Sequence, residues 1–138
     1  MATVGEARRL YNALIGSDNI RYAVLPDGAV SITLTAKAVA WTYDLWTQIA
    51  ASVGAADGWL VAVYAENPSA PAAGYDVGIG SGAIAAEVSL AVVPIFQSIN
   101  PLPFPIRIAA TTRVAGRCRS STGVADTIAV KVGIITGV

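Results

Sequence analysis

The residues best placed to do chemistry are three arginines, Arg113, Arg117 and Arg119, close together near the C-terminus. Their numbers share parity, so on one regular strand from Thr111 to Arg119 all three project from the same face. The opposite face carries Thr112, Val114, Gly116 and Cys118 and is expected to enter the core. Three like charges in a row need solvent or counter-charges between them. The stripe is therefore either a solvated outer face or a docking strip that meets carboxylates of a neighbouring subunit. Guanidinium suits the second task through its bidentate fork and its enrichment at interfaces. Nucleic-acid binding would need wider basic cover with interleaved aromatics, and the net charge is zero.

Other reactive groups are sparse. Glu66, Asp76 and Glu87 could be imagined as a glycosidase pair, but that chemistry needs two carboxylates at a defined separation across a cleft. No spacing in the sequence sets one. The run Gly78-Ile79-Gly80-Ser81-Gly82 has the look of a phosphate loop, yet further strands follow it and no Lys-Ser/Thr closes it. The alternative use of these glycines is a tight turn or a close backbone approach. Trp41, Trp46 and Trp59 could form a sugar-stacking platform, or fill a core or interface. Cys118 is alone, so no internal disulfide forms. Arg117 and Arg119 could lower its pKa, whereas burial would make it a small hydrophobe. The chain has no histidine, which removes most catalytic dyads and common zinc sites. No acids alternate as in a calcium loop. The expectation is a protein without catalysis, cofactor or metal.

The elements that must position these groups read as β-structure. Over half of the residues are apolar and only 13% are charged, against about a quarter in a typical soluble domain. A surface so short of charge is expected to be partly covered by partners. The longest apolar run, Ala83 to Phe96, contains Glu87, Ser89 and Pro94 and is too short to span a bilayer. The N-terminal run MATVGEARRLYNAL lacks an apolar signal region, so the expected product is soluble and non-secreted, with no membrane contact.

Residues 1–17 read as an arm or short helix, and 18–138 as the β domain. Thr3 and Glu6 fit a capping box, and Val4, Ala7, Leu10, Tyr11 and Leu14 share one helical stripe, with Gly16 placed to end it. Arg8, Arg9, Leu10 and Tyr11 are interface candidates there. From Ile20 the period becomes two. Ile20 to Leu25 and Ala29 to Thr35 flank Pro26-Asp27-Gly28, which predicts a hairpin. Trp41 to Val53 is assigned to a strand on its β-branched and aromatic content, although Leu45, Ile49 and Val53 would also suit a helix. Trp59 to Tyr64 is apolar on both faces and belongs in the centre of a sheet. Glu66 to Gly74 is a loop. Tyr75 to Ile79, Glu87 to Val93, Ile106 to Ala109, Thr111 to Ser120 and Asp126 to Ile135 complete the strands. Pro94 to Pro105 holds four prolines, too many for a regular paired strand, and is expected to run along an edge. The fold class is all-β: an antiparallel, jelly-roll-like sandwich with a short N-terminal helix.

From about Leu45 onward the layout resembles small structural proteins of tailed-phage virions. The segments that carry it are LWTQIAAS, WLVAVYAEN, YDVGIGSGAIAAEVSL, PIRIAATTRVAGRCRSS and DTIAVKVGI. The pattern is a D-x-G-x-G-like run before a small-residue turn and a Glu, then a Pro-led strand, a bend and an arginine strand. Ala109-Ala110 stand at that bend where Pro or Gly is expected. The resemblance covers some two thirds of the chain. It implies a jelly-roll-like module of a virion, made in the host cytoplasm. The implied role is capsid decoration or cement, binding itself as a homo-oligomer and other virion proteins such as the major capsid protein. A neck, collar or tail-fibre-attachment role is the near alternative, and a carbohydrate- or receptor-binding module the alternative of another class.

Overall fold

A computed structural model of the chain describes residues 20–28 and 30–137. The arm over 1–17, with Arg8, Arg9, Leu10 and Tyr11, lies outside the described residues. Those described form nine strands and no helix: β1 (Arg21–Leu25), β2 (Ile32–Thr35), β3 (Thr47–Ala50), β4 (Gly58–Glu66), β5 (Tyr75–Ser81), β6 (Val88–Ile95), β7 (Ile99–Ile108), β8 (Val114–Ser120) and β9 (Thr127–Thr136).

The strands build two antiparallel sheets. In the first, β1 and β2 both run along one side of β9, followed by β4 and then β7. The second has the order β3-β8-β5-β6. The pairs β5–β6, β4–β7, β3–β8 and β2–β9 nest one outside the other, like a long hairpin rolled up on itself. That nesting is the jelly roll, and the all-β sandwich expected from the sequence is the fold.

The core is the seam between the sheets, and strand alternation fills it. Ile128, Val130, Val132 and Ile134 of β9 point inward and are buried, facing Val77 and Ile79 of β5 and Val114 and Cys118 of β8 across the seam. Leu34, Ile49, Leu60, Val63 and Ile108 complete it. Gly116 belongs to this layer, because a Cβ there would sit 2.8 Å from Cδ1 of Ile49. Cys118 is one of the small buried hydrophobes, and burial pushes its thiol up to about 12. A thiolate promoted by the flanking arginines is therefore not what the fold produces.

Four local readings change. Pro26-Asp27-Gly28 does not close a hairpin: Leu25 pairs with Val132 and Ile32 with Val130, so β1 and β2 are two halves of one interrupted edge along β9. Two half-strands with the same partner make use of the same ladder, which local turn signals cannot reveal. Only Thr47–Ala50 of the Trp41 to Val53 stretch is a strand. β4 is central, as expected, but its register shifts between Leu60 and Ala62. This bulge sends Val63 into the core and leaves Trp59 and Tyr64 on the outer face. Finally, the proline run is paired with β4 through β7, and it does occupy the sheet edge. The pairing is interrupted between Pro101 and Ile106. Pro101, Pro103 and Pro105 share one side of the strand, where a missing N–H costs no ladder bond if that side faces outward.

The bend without Pro or Gly is secured from a distance. One carboxylate oxygen of Asp57 accepts the Ala110 N–H at 2.8 Å, and the other accepts Nε of Arg107 at 3.1 Å. Those two bonds, Arg107 first, hold the Asp57 carboxyl below the usual range. Asp126 ties the β8–β9 turn in the same way by accepting from Thr122 and, at 2.7 Å, from Ser120. Its carboxyl is also held down, by Thr122 and then Ser120.

Two outcomes follow from this packing. Leu60→Ala should destabilise the fold by about 2–5 kcal/mol in a denaturant titration, whereas Leu45→Ala, at an 85% exposed position, should stay within about 0.5 kcal/mol. Carboxylates with depressed pKa contribute their stability above the ordinary carboxyl range and lose it as pH falls through the folded values. With no histidine to titrate, the melting temperature should hold level from about pH 7 to 5 and drop below about pH 4. Asp126→Asn should shrink that acid-side drop; an unchanged profile would count against the turn as its source.

Candidate interaction surfaces

The arginine strand is built as its parity foretold. Arg117 and Arg119 stand on the outer face of β8 and Arg113 just before its start, with Val114, Gly116 and Cys118 buried behind them. Beside them runs β5, whose outer positions are Asp76, Gly78 and Gly80. The register sets Asp76 opposite Arg119 and Gly78 opposite Arg117. Between β2 and β3 the chain crosses this face, anchored by the Trp41 N–H donating to the Ser120 carbonyl at 2.7 Å. It lays Trp41, Tyr43 and Trp46 over Arg117 and Arg119.

The result is an alternating row of rings and guanidinium groups. Arg117 lies 4.4 Å from the ring centre of Tyr43 and 4.2 Å from that of Trp46. Arg119 lies 4.8 Å from Tyr43 and 5.8 Å from Trp41. Such cation–π contacts are worth about 0.5–2 kcal/mol each, more when water is excluded. Two nitrogens of Arg119 also reach one oxygen of Asp76, at 2.8 and 2.9 Å. Arg113 bonds Glu87 at 2.8 Å in a mostly buried pair, and reaches Gln48 and the Gly82 carbonyl. Among the described residues Arg117 meets no carboxylate and its buried Nε has no hydrogen-bond partner; its charge rests on ring faces. Burial chiefly raises the Tyr43 pKa, with Asp76 adding to it and Arg119 and Arg117 opposing.

The glycine run is the floor of this row. A Cβ on Gly80 would lie 2.8 Å from Cη2 of Trp46 and 3.0 Å from the Val88 carbonyl, one on Gly74 3.2 Å from Trp41, and one on Gly78 3.4 Å from Cγ of Arg117. Close approach, and not a phosphate cradle, is what these glycines permit. Two of the three arginines find their carboxylates, Glu87 and Asp76, within the same chain, and Arg117 is covered by rings.

The remaining candidates disperse. Trp41 and Trp46 belong to the arginine face, while Trp59 is on the outer face of the other sheet, so the three do not share a platform. Glu66 ends β4 in the first sheet and accepts from Ser31 at 2.6 Å. Asp76 and Glu87 flank opposite ends of β5, about 17 Å apart along the strand. The three acids therefore do not converge. Among the described residues no three His, Cys, Asp or Glu side chains group as a metal site.

A second surface was not foreseen. β6 and β7 are the edge strands on the same side of the sandwich, and an apolar groove of about 490 Å³ runs between them. Leu90, Leu102 and Ile106 form its half-buried floor. Val92, Phe96 and Phe104 stand around it 48%, 89% and 75% exposed. Among the described residues no charged side chain lines it. Asn100 fixes the turn that presents Phe96: its side-chain oxygen accepts the Phe96 N–H at 3.0 Å, and its amide donates to the carbonyls of Gln97 and Val63. Alternation and proline content mark this edge in the sequence, but exposure of two phenylalanines has no sequence signature of its own.

The floor of the aromatic row gives a direct expectation. Gly80→Ala should force Trp46 away from Arg117, lower stability by about 1–3 kcal/mol, and shift the tryptophan emission. Gly123→Ala, where a Cβ meets open space, should do neither. An unperturbed Gly80 variant would mean that the close approach does not matter.

No protein-family model matches this chain, and neither a curated protein nor a solved structure is similar to it. The likeness to virion proteins therefore rests on the quoted sequence segments alone.

Proposed function

We propose that this chain is a non-catalytic assembly protein that docks through the groove between β6 and β7. The observation that carries this reading is the groove itself: an uncharged trough with two exposed phenylalanines on a protein that has few charges to cover its surface. Exposed apolar patches of this kind mark interaction sites, and buried aromatic anchors dominate interface energies. The setting we propose is a virion, with capsid decoration or cement as the role and a neck, collar or tail-fibre attachment as the near alternative. The sequence resemblance supports that setting. A jelly roll is compatible with it, but the same architecture also serves lectins, so fold alone does not choose. A glycan platform has less support, since Trp41 and Trp46 stack on arginines and Trp59 lies elsewhere.

In this reading the arginine row is an internal brace, and docking falls to the apolar side. Sedimentation of the full chain should show concentration-dependent association. Phe96→Ser with Phe104→Ser should weaken it by roughly 30-fold or more and leave the melting curve nearly unchanged. A strict monomer at high concentration that the double variant does not alter would sink self-association through the groove. Mass spectrometry of particles from the source of the chain tests the setting separately. Its presence at a fixed ratio to the capsid protein is expected; its absence would remove the virion role.

A further inference from the structure

We infer that a pocket on the outer face of the first sheet, between Lys131 of β9, Tyr64 and Glu66 of β4, and Ser98, is a binding site for a neutral sugar. This reading is separate from the docking role proposed above, because it concerns another face and another chemistry. The pocket has a volume of about 280 Å³, at the small end of ligand sites, which run from about 300 Å³ upward. Strand register brings its walls together. Lys131 pairs with Tyr64, and Ala129 with Glu66, so β9 and β4 set an ammonium, a ring and a carboxylate side by side on one face. Tyr64 pairs in turn with Ile99 of β7. Ser98 is tied in place by its carbonyl, which accepts the Ala65 N–H at 2.9 Å. Ser31, ahead of β2, closes another side by donating to Glu66 at 2.6 Å. The Tyr64 hydroxyl is held by that of Tyr22. Both rings need Gly133 beneath them, where a Cβ would strike the Tyr22 hydroxyl and lie 3.3 Å from Tyr64.

The charges select the ligand. Glu66 and Lys131 are neighbours of opposite sign, yet among the described residues neither joins an ion pair. Lys131 gives one N–H to the Gly28 carbonyl and keeps two. Glu66 keeps one oxygen beyond its bond from Ser31. A ligand that satisfies both must donate to the carboxylate and accept from the ammonium beside it. Two hydroxyls on one sugar ring do so without carrying a charge. An anion would be opposed by Glu66 and a cation by Lys131, while an apolar side chain would bury both charges unpaired. The Tyr64 ring and Ile99, between these polar groups, give the C–H face of a sugar an apolar bed. The groove between β6 and β7 has no such pair of charges, so the two surfaces take different occupants.

The test titrates the full, isotope-labelled chain with methyl glycosides of glucose, galactose, mannose and N-acetylglucosamine, and with glycine as a zwitterion of similar polarity. At least one glycoside at millimolar concentration should shift the amide signals of Tyr64, Glu66, Ile99 and Lys131 to saturation, while those of Val92 and Phe104 stay still. Glu66→Gln and Lys131→Met should each weaken that binding at least about tenfold and keep the melting temperature. Phe96→Ser with Phe104→Ser should leave it unchanged, so sugar binding and docking at the groove fail or stand apart. If no glycoside moves these signals, or if glycine moves them and the glycosides do not, the sugar site is overturned. Binding that survives both Glu66→Gln and Lys131→Met would overturn it as well.

Discussion

Every strand of this protein gives one face to a single seam between two sheets, and the remainder of the structure answers the problem that this creates. Burial of Leu34, Leu60, Val77, Ile79, Val132 and Ile134 supplies the hydrophobic driving force, at about 1.5–3 kcal/mol for each large side chain fully buried. It also leaves two outer faces and the edges of both sheets to be finished by a chain with eighteen charged residues, nine of each sign. One outer face is finished internally, by a segment that folds back and lays three aromatic rings on Arg117 and Arg119.

That cover makes an economical use of charge. Arg113, Arg117 and Arg119 would repel one another on a bare strand, yet each is met differently: by Glu87, by the faces of Tyr43 and Trp46, and by Asp76 with Tyr43 and Trp41. Arginine is required for this because its flat, weakly hydrated guanidinium can stack where an ammonium would not. The neighbouring strand has to recede to make room, and glycines at 78 and 80 let it do so. Charge, ring and glycine are three parts of one device.

The edges are finished in another way. Pro101, Pro103 and Pro105 sit on β7, and proline on an edge strand is one of the ways in which natural sheets avoid uncontrolled pairing. The side chains between the β6 and β7 edges are nonetheless left apolar and uncovered.

The fold class was legible in the sequence because it depends on local periodicity: alternation over β8 and β9, turn residues between strands, and prolines at an edge. The parity that puts Arg117 and Arg119 on one side of β8 is of the same kind, since it follows from the two-residue repeat of any strand. What the sequence could not show depended on which strands meet. Pro26-Asp27-Gly28 has every local mark of a hairpin, but β1 and β2 both find their partner a hundred residues away in β9. The bulge in β4 reversed the faces of Trp59 and Val63 by a single residue. Whether Asp76 faces Arg119, and whether Gly80 makes room for Trp46, are matters of register between distant strands. Local preference sets the period of a strand, whereas long-range pairing sets its neighbours, and both the arginine row and the groove are made of neighbours.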